Sequence, residues 1–198
     1  DITMKVIESN IVDLIEPFPI SEAGRAFTWL HCYHNILESD LAPKSAVEFE
    51  LYLRAVLPFT RTFGVIDKLN RLGIKHEAPL IGLVVFQPAT VWDCALSLAA
   101  PRRAWKIGLI DDAVSASIEE IFVTEPSIAR ISFDTSEGNN PMKGLARRLL
   151  LRFEGCSHDA FTQNSTLKSL LHFGVTRRDW QERQLPSLPE VLPETEVI

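Results

Sequence analysis

Cysteine is scarce in this sequence, and its three copies form no pattern that indicates disulfide bonds. Cys32, Cys94 and Cys156 give an odd count with no paired spacing, which argues against a disulfide framework. Free cysteines are among the residue types most often buried, so we expect all three to be buried free thiols. Free thiols suit a reducing compartment, and we therefore expect a cytoplasmic location.

Long apolar runs are also absent. No stretch is long enough to cross a bilayer as a helix, and Lys5, Glu8 and Asp13 interrupt the apolar start, so no signal peptide is expected. Positive charge is in deficit, because 20 Lys and Arg face 26 Asp and Glu, which gives a net charge of -6. Nucleic acids and anionic membranes select basic surfaces, so neither is expected as the main partner.

Most motifs that mark an enzyme are missing as well. We find no nucleophile elbow, paired-carboxylate motif, nucleotide-binding Walker loop or zinc-ligand spacing. His31 and His34 stand three residues apart and could bind a metal on one helix face, but no Asp, Glu or Cys completes the set. A structural role for both is the favoured interpretation, and no metal is expected.

The 198 residues are 46% apolar and 23% charged, which is typical of one soluble domain with a proper core. We assign residues 1–180 to this domain. From Gln181 onward, prolines alternate with glutamates, which predicts an extended acidic tail over residues 181–198.

Hydrophobic periodicity and turn residues predict the order of elements within the domain. A first strand precedes two helices that begin near Ser21 and Ser45, and three antiparallel strands, one long helix, one strand, one helix and a hairpin follow. The predicted ranges are Met4–Glu8, Thr62–Asp67, Leu80–Phe86, Val91–Leu98, Ile128–Asp134, Arg152–Phe161 and Leu167–Val175 for strands, with helices over Trp105–Val123 and from Asn140. Val47, Leu51 and the stretch Leu53–Leu57 are predicted on the apolar side of the second helix.

The last third of the domain carries a set of motifs at specific spacing. A strand ends shortly before Asn140, which opens a helix; Glu154-Gly155, His158-Asp159-Ala160-Phe161 and a closing His172–Trp180 segment follow. This arrangement resembles the ribosomal-protein acetyltransferase group of the GNAT acetyltransferases. The resemblance implies an α/β (α+β) fold, in which helices flank both faces of a mixed, mostly antiparallel sheet of about seven strands. The overall residue pattern of Pro101–Trp180, without a fixed motif, also resembles GNAT-like proteins encoded among bacteriophage virion genes.

The resemblance implies where acetyl-CoA would bind. GNAT enzymes hold its pyrophosphate in a loop of the form Arg/Gln-x-x-Gly-x-Gly/Ala between the central strand and the long helix, where small residues let backbone N–H groups reach the phosphates. Here Trp105 and Ile107, or Lys106 in the other register, stand where glycine belongs. The basic residues form either an anion site or a solvated basic turn. The candidate cofactor residues are Leu98, Ala100, Arg102, Arg103, Lys106, Gly108 and Asn140.

The catalytic groups that the resemblance implies are also altered. Many GNAT enzymes protonate the leaving thiolate with a Tyr, and that position falls at Ala146 here. Asp93 or Cys94 on the central strand could serve as a base, although packing is favoured for both. His158 and Asp159 could form a polar pair, with His172 opposite, and we expect cross-strand pairing rather than catalysis.

Two functions remain open at this point. The favoured one is a non-catalytic GNAT-fold protein for interaction or assembly, with protein partners, further copies of itself or a virion as its setting. The alternative is an active N-acetyltransferase that uses acetyl-CoA on a protein N-terminus or a small amine.

Overall fold

The computed structural model describes residues 4–31, 43–70, 72 and 80–184, and the fold within them is a single sheet flanked by helices. The strands are β1 (Lys5–Glu8), β2 (Asp13–Glu16), β3 (Arg61–Ile66), β4 (Leu80–Pro88), β5 (Asp93–Ala99), β6 (Arg130–Ser136), β7 (Arg152–Gln163) and β8 (Thr166–Thr176). The helices are α1 (Ala23–His31), α2 (Ala46–Val56), α3 (Arg102–Lys106), α4 (Leu109–Thr124), α5 (Asn140–Arg148) and α6 (Arg177–Gln184).

The eight strands follow the order β1-β2-β3-β4-β5-β6-β8-β7. All neighbours are antiparallel except β5 and β6, which are parallel. The predicted fold class is therefore confirmed, with one strand more than expected. The additional strand is β2, a four-residue segment that pairs with both β1 and β3.

Apolar side chains of β4 alternate between two cores, which places helices on both faces of the sheet. Val84 and Phe86 belong to the larger core, beneath α4 and α5. Leu83 belongs to the smaller core, together with Phe49 and Leu53 of α2 and residues of α1. Helices α1 and α2 thus cover one face, and α4 and α5 cover the other.

The predicted start of α2 is confirmed, and its predicted apolar side is confirmed at Leu53 but not at Val47 or Leu51. Ser45 is the N-cap, and its hydroxyl accepts a hydrogen bond from the Glu48 amide at 3.1 Å. The residues that pack inward are Phe49 and Leu53, whereas Val47 and Leu51 are exposed. The prediction for Val47 and Leu51 was wrong. These two residues are four apart, and so are Phe49 and Leu53, so helical spacing suits either pair and tertiary packing decides which one is buried.

The single long helix predicted over Trp105–Val123 is two helices. α3 ends at Lys106, and Gly108 adopts the left-handed conformation, with φ of 78°, before α4 begins at Leu109. Ile107, Ile110, Val114, Ile118 and Ile121 recur at helical spacing, which predicts a buried stripe. The last four are buried in the larger core, whereas Ile107 lies before α4 and is half-buried.

The C-terminal hairpin is found with its turn at Asn164 and Ser165, as predicted. β7 contains two irregularities, between Phe153 and Gly155 and between Ser157 and Phe161, which shift its register against β8. Helix α6 follows and extends through Gln184, so it includes the first four residues of the segment predicted as a tail. Residues 185–198 lie outside the described part.

Candidate functional site

The two parallel strands at the centre of the sheet separate toward their carboxyl ends. β5 and β6 pair at only three positions, and pairing stops after Ala95 and Ser132, although β5 continues to Ala99 and β6 to Ser136. On their outer sides, β5 stays paired with β4 and β6 with β8 over this length. We call this gap in the pairing of β5 and β6 the V-shaped crevice, and it lies at the position where open α/β sheets bind ligands.

Apolar groups and buried polar groups lie beside this gap in the pairing. Leu98 on β5 is half-buried against the larger core, and Ala100 just beyond the strand is buried. On the other side, Thr135 of β6 and Asn139 before α5 are buried, and their Oγ1 and Nδ2 atoms have no hydrogen-bond partner among the described residues. Two buried polar atoms without partners are what a ligand arm in the crevice would satisfy.

The segment beyond β5 is helical instead of an open, glycine-rich loop. Pro101 precedes α3, and the amide of Ala104 donates to the Pro101 carbonyl at 3.0 Å. Ala104 is fully buried, and the indole N–H of Trp105 donates to the Ala100 carbonyl at 3.3 Å. Trp105 and Ile107 pack against the larger core. Backbone amides in this segment are thus partly used within α3.

Two carboxylates occupy the first turn of α4. Asp112 Oδ2 accepts hydrogen bonds from the amides of Ile11 at 2.9 Å and Val12 at 3.2 Å, which ties the β1–β2 turn to the helix. Asp111 accepts a hydrogen bond from Arg148 of α5. The positive end of the α4 dipole therefore already faces two negative charges of the chain itself.

Comparisons in sequence and in structure give different results. No family model and no curated protein matches the sequence. In structure, the chain is similar to the ribosomal L7/L12 alpha-N-protein acetyltransferase in complex with coenzyme A, with a TM-score of 0.73, 11% identity and coverage of 88% of this chain and 99% of that one. It is also similar to the ribosomal-protein-S5-alanine acetyltransferase of Vibrio fischeri, with a TM-score of 0.70, 14% identity and coverage of 89% and 98%.

A third structure carries the family name. A probable acetyltransferase of the GNAT family from Chromobacterium violaceum has a TM-score of 0.71 and 15% identity, and the match covers 89% of this chain and 88% of that one. The fold is that of the GNAT acetyltransferases. At these sequence identities, the likeness concerns the fold alone.

Acetyl-CoA is the cofactor that the sequence resemblance implies for the candidate residues. The V-shaped crevice and the unpaired atoms of Thr135 and Asn139 suit its thioester arm. The diphosphate end does not fit, because α3 fills the segment that should wrap the phosphates and Asp111 and Asp112 lie at the adjacent helix terminus. Like charges at that terminus would repel a diphosphate.

The candidate cofactor residues are spread over different surroundings. Arg102 and Arg103 are exposed on α3, and Gly108 forms the break between α3 and α4. Lys106 ends α3. Asn140 is exposed at the start of α5, and the side chain that caps this helix is Asn139, whose Oδ1 accepts from the Met142 amide at 3.3 Å. The expectation that Asn140 is the cap was wrong by one residue, because Pro141 fits the second helical position as well as the first.

The position expected for a proton donor is apolar in the structure. Ala146 is fully buried in α5 and packs in the larger core. Of the two tyrosines, Tyr52 is exposed on α2, on the opposite face of the sheet from α5, and Tyr33 lies outside the described residues. No tyrosine in the described part is therefore placed to protonate a leaving group beside α5.

Neither candidate base on β5 is free to act. Asp93 pairs with Arg130 at 2.5 Å and accepts a hydrogen bond from Ser132 at 3.1 Å. The hydrogen bond from Arg130 to Glu154, together with Asp93, raises the pKa of the Arg130 guanidinium, so the group remains a fixed cation. Cys94 is buried, and its burial raises the pKa of the thiol to about 11. The packing favoured from sequence is found for Cys94, whereas Asp93 is held in an ion pair with Arg130 that the sequence did not indicate.

The remaining cysteine and histidine predictions have mixed outcomes. Cys156 is exposed, so the expectation that it is buried was wrong, because β7 lies at the sheet edge. Cys32 and His34 lie outside the described residues. Within the described part, no group of three or more His, Cys, Asp or Glu could hold a metal ion, and no helix there is long and apolar enough to cross a membrane.

Cross-strand pairing of His172 is found, with partners that the sequence did not indicate. His172 contacts Ser157 on β7 and Asp134 on β6. His158 lies instead beside Cys156, with 4.0 Å between Nδ1 and Sγ. Sequence spacing did not indicate that Ser157, His172 and Asp134 meet, because their contacts depend on the register of β7 against β8 and on the pairing of β8 with β6.

Proposed function

We propose that this chain is a GNAT-fold protein that works by binding protein partners and does not use acetyl-CoA. The observation that carries the proposal is the helix α3, with buried Ala104 and half-buried Trp105 in the segment where phosphate-binding amides are required. Replacing that helix by an open loop would require Ala104 and Trp105 to leave the core. The loss of the Tyr at Ala146 agrees with the same conclusion.

The electrostatics of the α4 N-terminus support this proposal independently. A diphosphate binds a helix terminus because free N–H groups and the dipole attract negative charge. In this chain Asp111 and Asp112 supply negative charge at that terminus, and Arg148 neutralises one of them from α5. The net attraction for an added anion is therefore reduced.

An exposed apolar region supports protein partners. Phe59 is 76% exposed and lines a groove of about 270 Å³ together with Pro58 and Pro88. Val91 and Trp92, in the turn that follows Pro88, are also exposed. Exposed apolar groups gathered in one region are typical of interaction surfaces.

The setting of this interaction follows from the sequence resemblance. The overall residue pattern of Pro101–Trp180 resembles that of GNAT-like proteins encoded among bacteriophage virion genes. We therefore extend the proposal to assembly in a virion, where the partners are further copies of this chain or other virion proteins. Free Cys94 and Cys156 agree with synthesis in a reducing compartment such as the cytoplasm.

A second candidate function is N-acetyltransfer from acetyl-CoA to a protein N-terminus or small amine. The V-shaped crevice favours it, as do the unpaired polar atoms of Thr135 and Asn139, because both features suit an acyl-pantetheine arm. Two structures with this fold, at 11% and 13% identity, are complexes with coenzyme A or its disulfide. In this chain, Arg102 and Arg103 would supply the phosphate contacts.

A cofactor titration followed by thermal unfolding separates the two functions. A cofactor at 100 times its dissociation constant stabilises a folded protein by about 2.7 kcal/mol, so binding would raise the melting temperature clearly. We expect no shift with millimolar acetyl-CoA or free CoA. A shift that disappears in Arg102→Ala/Arg103→Ala, but persists in the control Arg25→Ala/Arg54→Ala, would overturn the proposal and favour the second function.

A further inference from the structure

Three polar side chains on adjacent strands form a continuous hydrogen-bonded chain. Ser157 Oγ lies 2.8 Å from His172 Nε2, and His172 Nδ1 lies 2.7 Å from Asp134 Oδ1. Ser157 is on β7, His172 on β8 and Asp134 on β6, and these three strands are neighbours in the sheet. The trio therefore sits on backbone ladders rather than on a loop.

The proton positions in this chain follow from its chemistry. An ionised carboxylate only accepts hydrogen bonds, so Nδ1 of His172 carries the proton that is donated to Asp134. In the neutral ring Nε2 is then the acceptor, and the hydroxyl of Ser157 donates a hydrogen bond to it. A serine that donates to a histidine, which a carboxylate orients from its other side, is the arrangement that activates a serine nucleophile.

The trio is open to solvent on one face of the sheet. Phe133 and Phe173, the chain neighbours of Asp134 and His172, point into the larger core, so Asp134 and His172 point to the opposite face. The side chains of His172 and Asp134 are 31% and 51% exposed, and Ser157 is exposed. A substrate can therefore reach all three without a movement of the fold.

The backbone of β7 leaves room beside the histidine. Gly155 is the register partner of His172, has φ of 153°, and a Cβ built on it would meet nothing within 4 Å. After Ser157, the three residues His158, Asp159 and Ala160 oppose the single Ser169 of β8. Such a bulge leaves backbone groups outside the ladder, next to the serine, where N–H groups could stabilise an oxyanion.

We infer that Ser157, His172 and Asp134 form a catalytic site for acyl transfer from an activated ester or thioester. The Ser157 Oγ attacks the acyl carbonyl while its proton passes to His172 Nε2. The bond from the carbonyl to the leaving alcohol or thiol breaks, and that leaving group takes the proton from His172. Water, deprotonated by His172, then releases the acid and restores Ser157. Asp134 keeps His172 in the required tautomer.

This inference goes beyond the proposed function and does not depend on it. The site uses neither α3 nor the crevice, and its acyl donor need not contain coenzyme A. A failed cofactor titration therefore leaves it unaffected, and a failed serine-labelling test leaves the partner-binding proposal unaffected.

A fluorophosphonate probe tests the site, because it reacts with activated serines. We expect one covalent adduct per chain, located at Ser157 by peptide mass spectrometry, and none in Ser157→Ala. His172→Gln should slow labelling by about 100-fold or more, since general-base catalysis contributes that much. Asp134→Asn should slow it by about 10-fold or more, because an amide does not fix the Nδ1–H tautomer. Ser97→Ala, at an exposed serine of β5, is the matched control and should label like the wild type.

Each variant is compared only after its thermal unfolding transition matches that of the wild type. If His172→Gln is less stable, Asp134→Asn, at a half-exposed carboxylate, decides in its place. p-Nitrophenyl acetate gives a second reading, with release of about one equivalent of p-nitrophenolate per chain that is lost in Ser157→Ala. Absence of labelling, labelling spread over several serines, or equal rates in the wild type and Asp134→Asn would overturn the inference.

Discussion

Arg148, the last residue of α5, donates a hydrogen bond from Nε to Asp111 Oδ1 at 2.6 Å and so connects α5 to the first turn of α4. These two helices follow the strands that form the crevice, β6 and β5. The ion pair therefore joins the two sides of the crevice outside the sheet. It also places a carboxylate of the chain at the helix terminus where the GNAT resemblance would place a diphosphate.

The first prediction concerns this ion pair. Asp111→Asn should lower the free energy of unfolding by about 1 kcal/mol or less, because the pair is partly exposed and solvent screens it. Urea denaturation at low salt and in 1 M NaCl checks it, since the Debye length falls to about 3 Å at 1 M and the difference from wild type should shrink. Arg178→Ala, in the more exposed pair with Glu182, is the control and should change stability less. A salt-independent loss would contradict the prediction.

The second prediction concerns the break between α3 and α4. Gly108 has φ of 78°, a conformation that costs other residues roughly 1–2 kcal/mol. A Cβ at this position would meet nothing within 4 Å, so Gly108→Ala isolates the backbone strain. We expect that loss in a denaturation experiment. Gly24→Ala, in α1 and equally open to a Cβ, should show no loss. Equal stability of the two variants would show that α3 and α4 can straighten into one helix.

Sequence patterns predicted most elements because their periodicity is set locally. The buried stripe of α4, the Ser45 cap of α2 and the hairpin of β7 and β8 all depend on residues close together in the chain. The features that failed depend on distant residues. Whether Phe49 or Leu51 faces inward on α2 depends on where α1 and β4 lie, which the sequence of α2 does not contain.

The candidate site was predictable only in part. The bulky residues Trp105 and Ile107 can be read directly from the sequence, but the helical conformation of their segment and the packing of Ala104 cannot. The contact between His172 and Ser157 depends on the register of β7 against β8, and two irregularities in β7 shift that register. The sequence does hold one indication of this contact. Ser157 and His172 lie on the two strands of a predicted hairpin, so some of the possible registers of that hairpin place them side by side.

The third prediction concerns the two free thiols of the described part. Burial raises the pKa of the Cys94 thiol to about 11, whereas Cys156 is exposed. Iodoacetamide at pH 8 should therefore alkylate Cys156 and leave Cys94 unmodified until the protein is unfolded, as peptide mass spectrometry would show. Rapid alkylation of folded Cys94 would contradict this assignment.

The same shift makes stability depend on pH. Because the folded-state pKa of the Cys94 thiol lies above the ordinary value of 9.0, this thiol supports folding below pH 9, and that support is lost as the pH rises toward 11. Cys94→Ala should lose this part of the pH dependence.

The fourth prediction concerns the attachment of α6. Trp180 is buried, and its indole N–H donates to Glu119 Oε2 of α4 at 2.6 Å. Trp180→Phe keeps an aromatic ring but leaves the carboxylate without this donor, which should lower the free energy of unfolding by about 1–3 kcal/mol. Trp92→Phe is the matched control, because Trp92 is exposed in the β4–β5 turn and should not change stability. Urea denaturation followed by circular dichroism measures both variants.

Trp180→Phe/Glu119→Gln should recover part of the loss, since an amide tolerates the missing donor better than a carboxylate does. Equal losses for the two tryptophan variants would mean that α6 is held by Arg177, which donates to the carbonyls of Ile128 and Glu125, and not by Trp180.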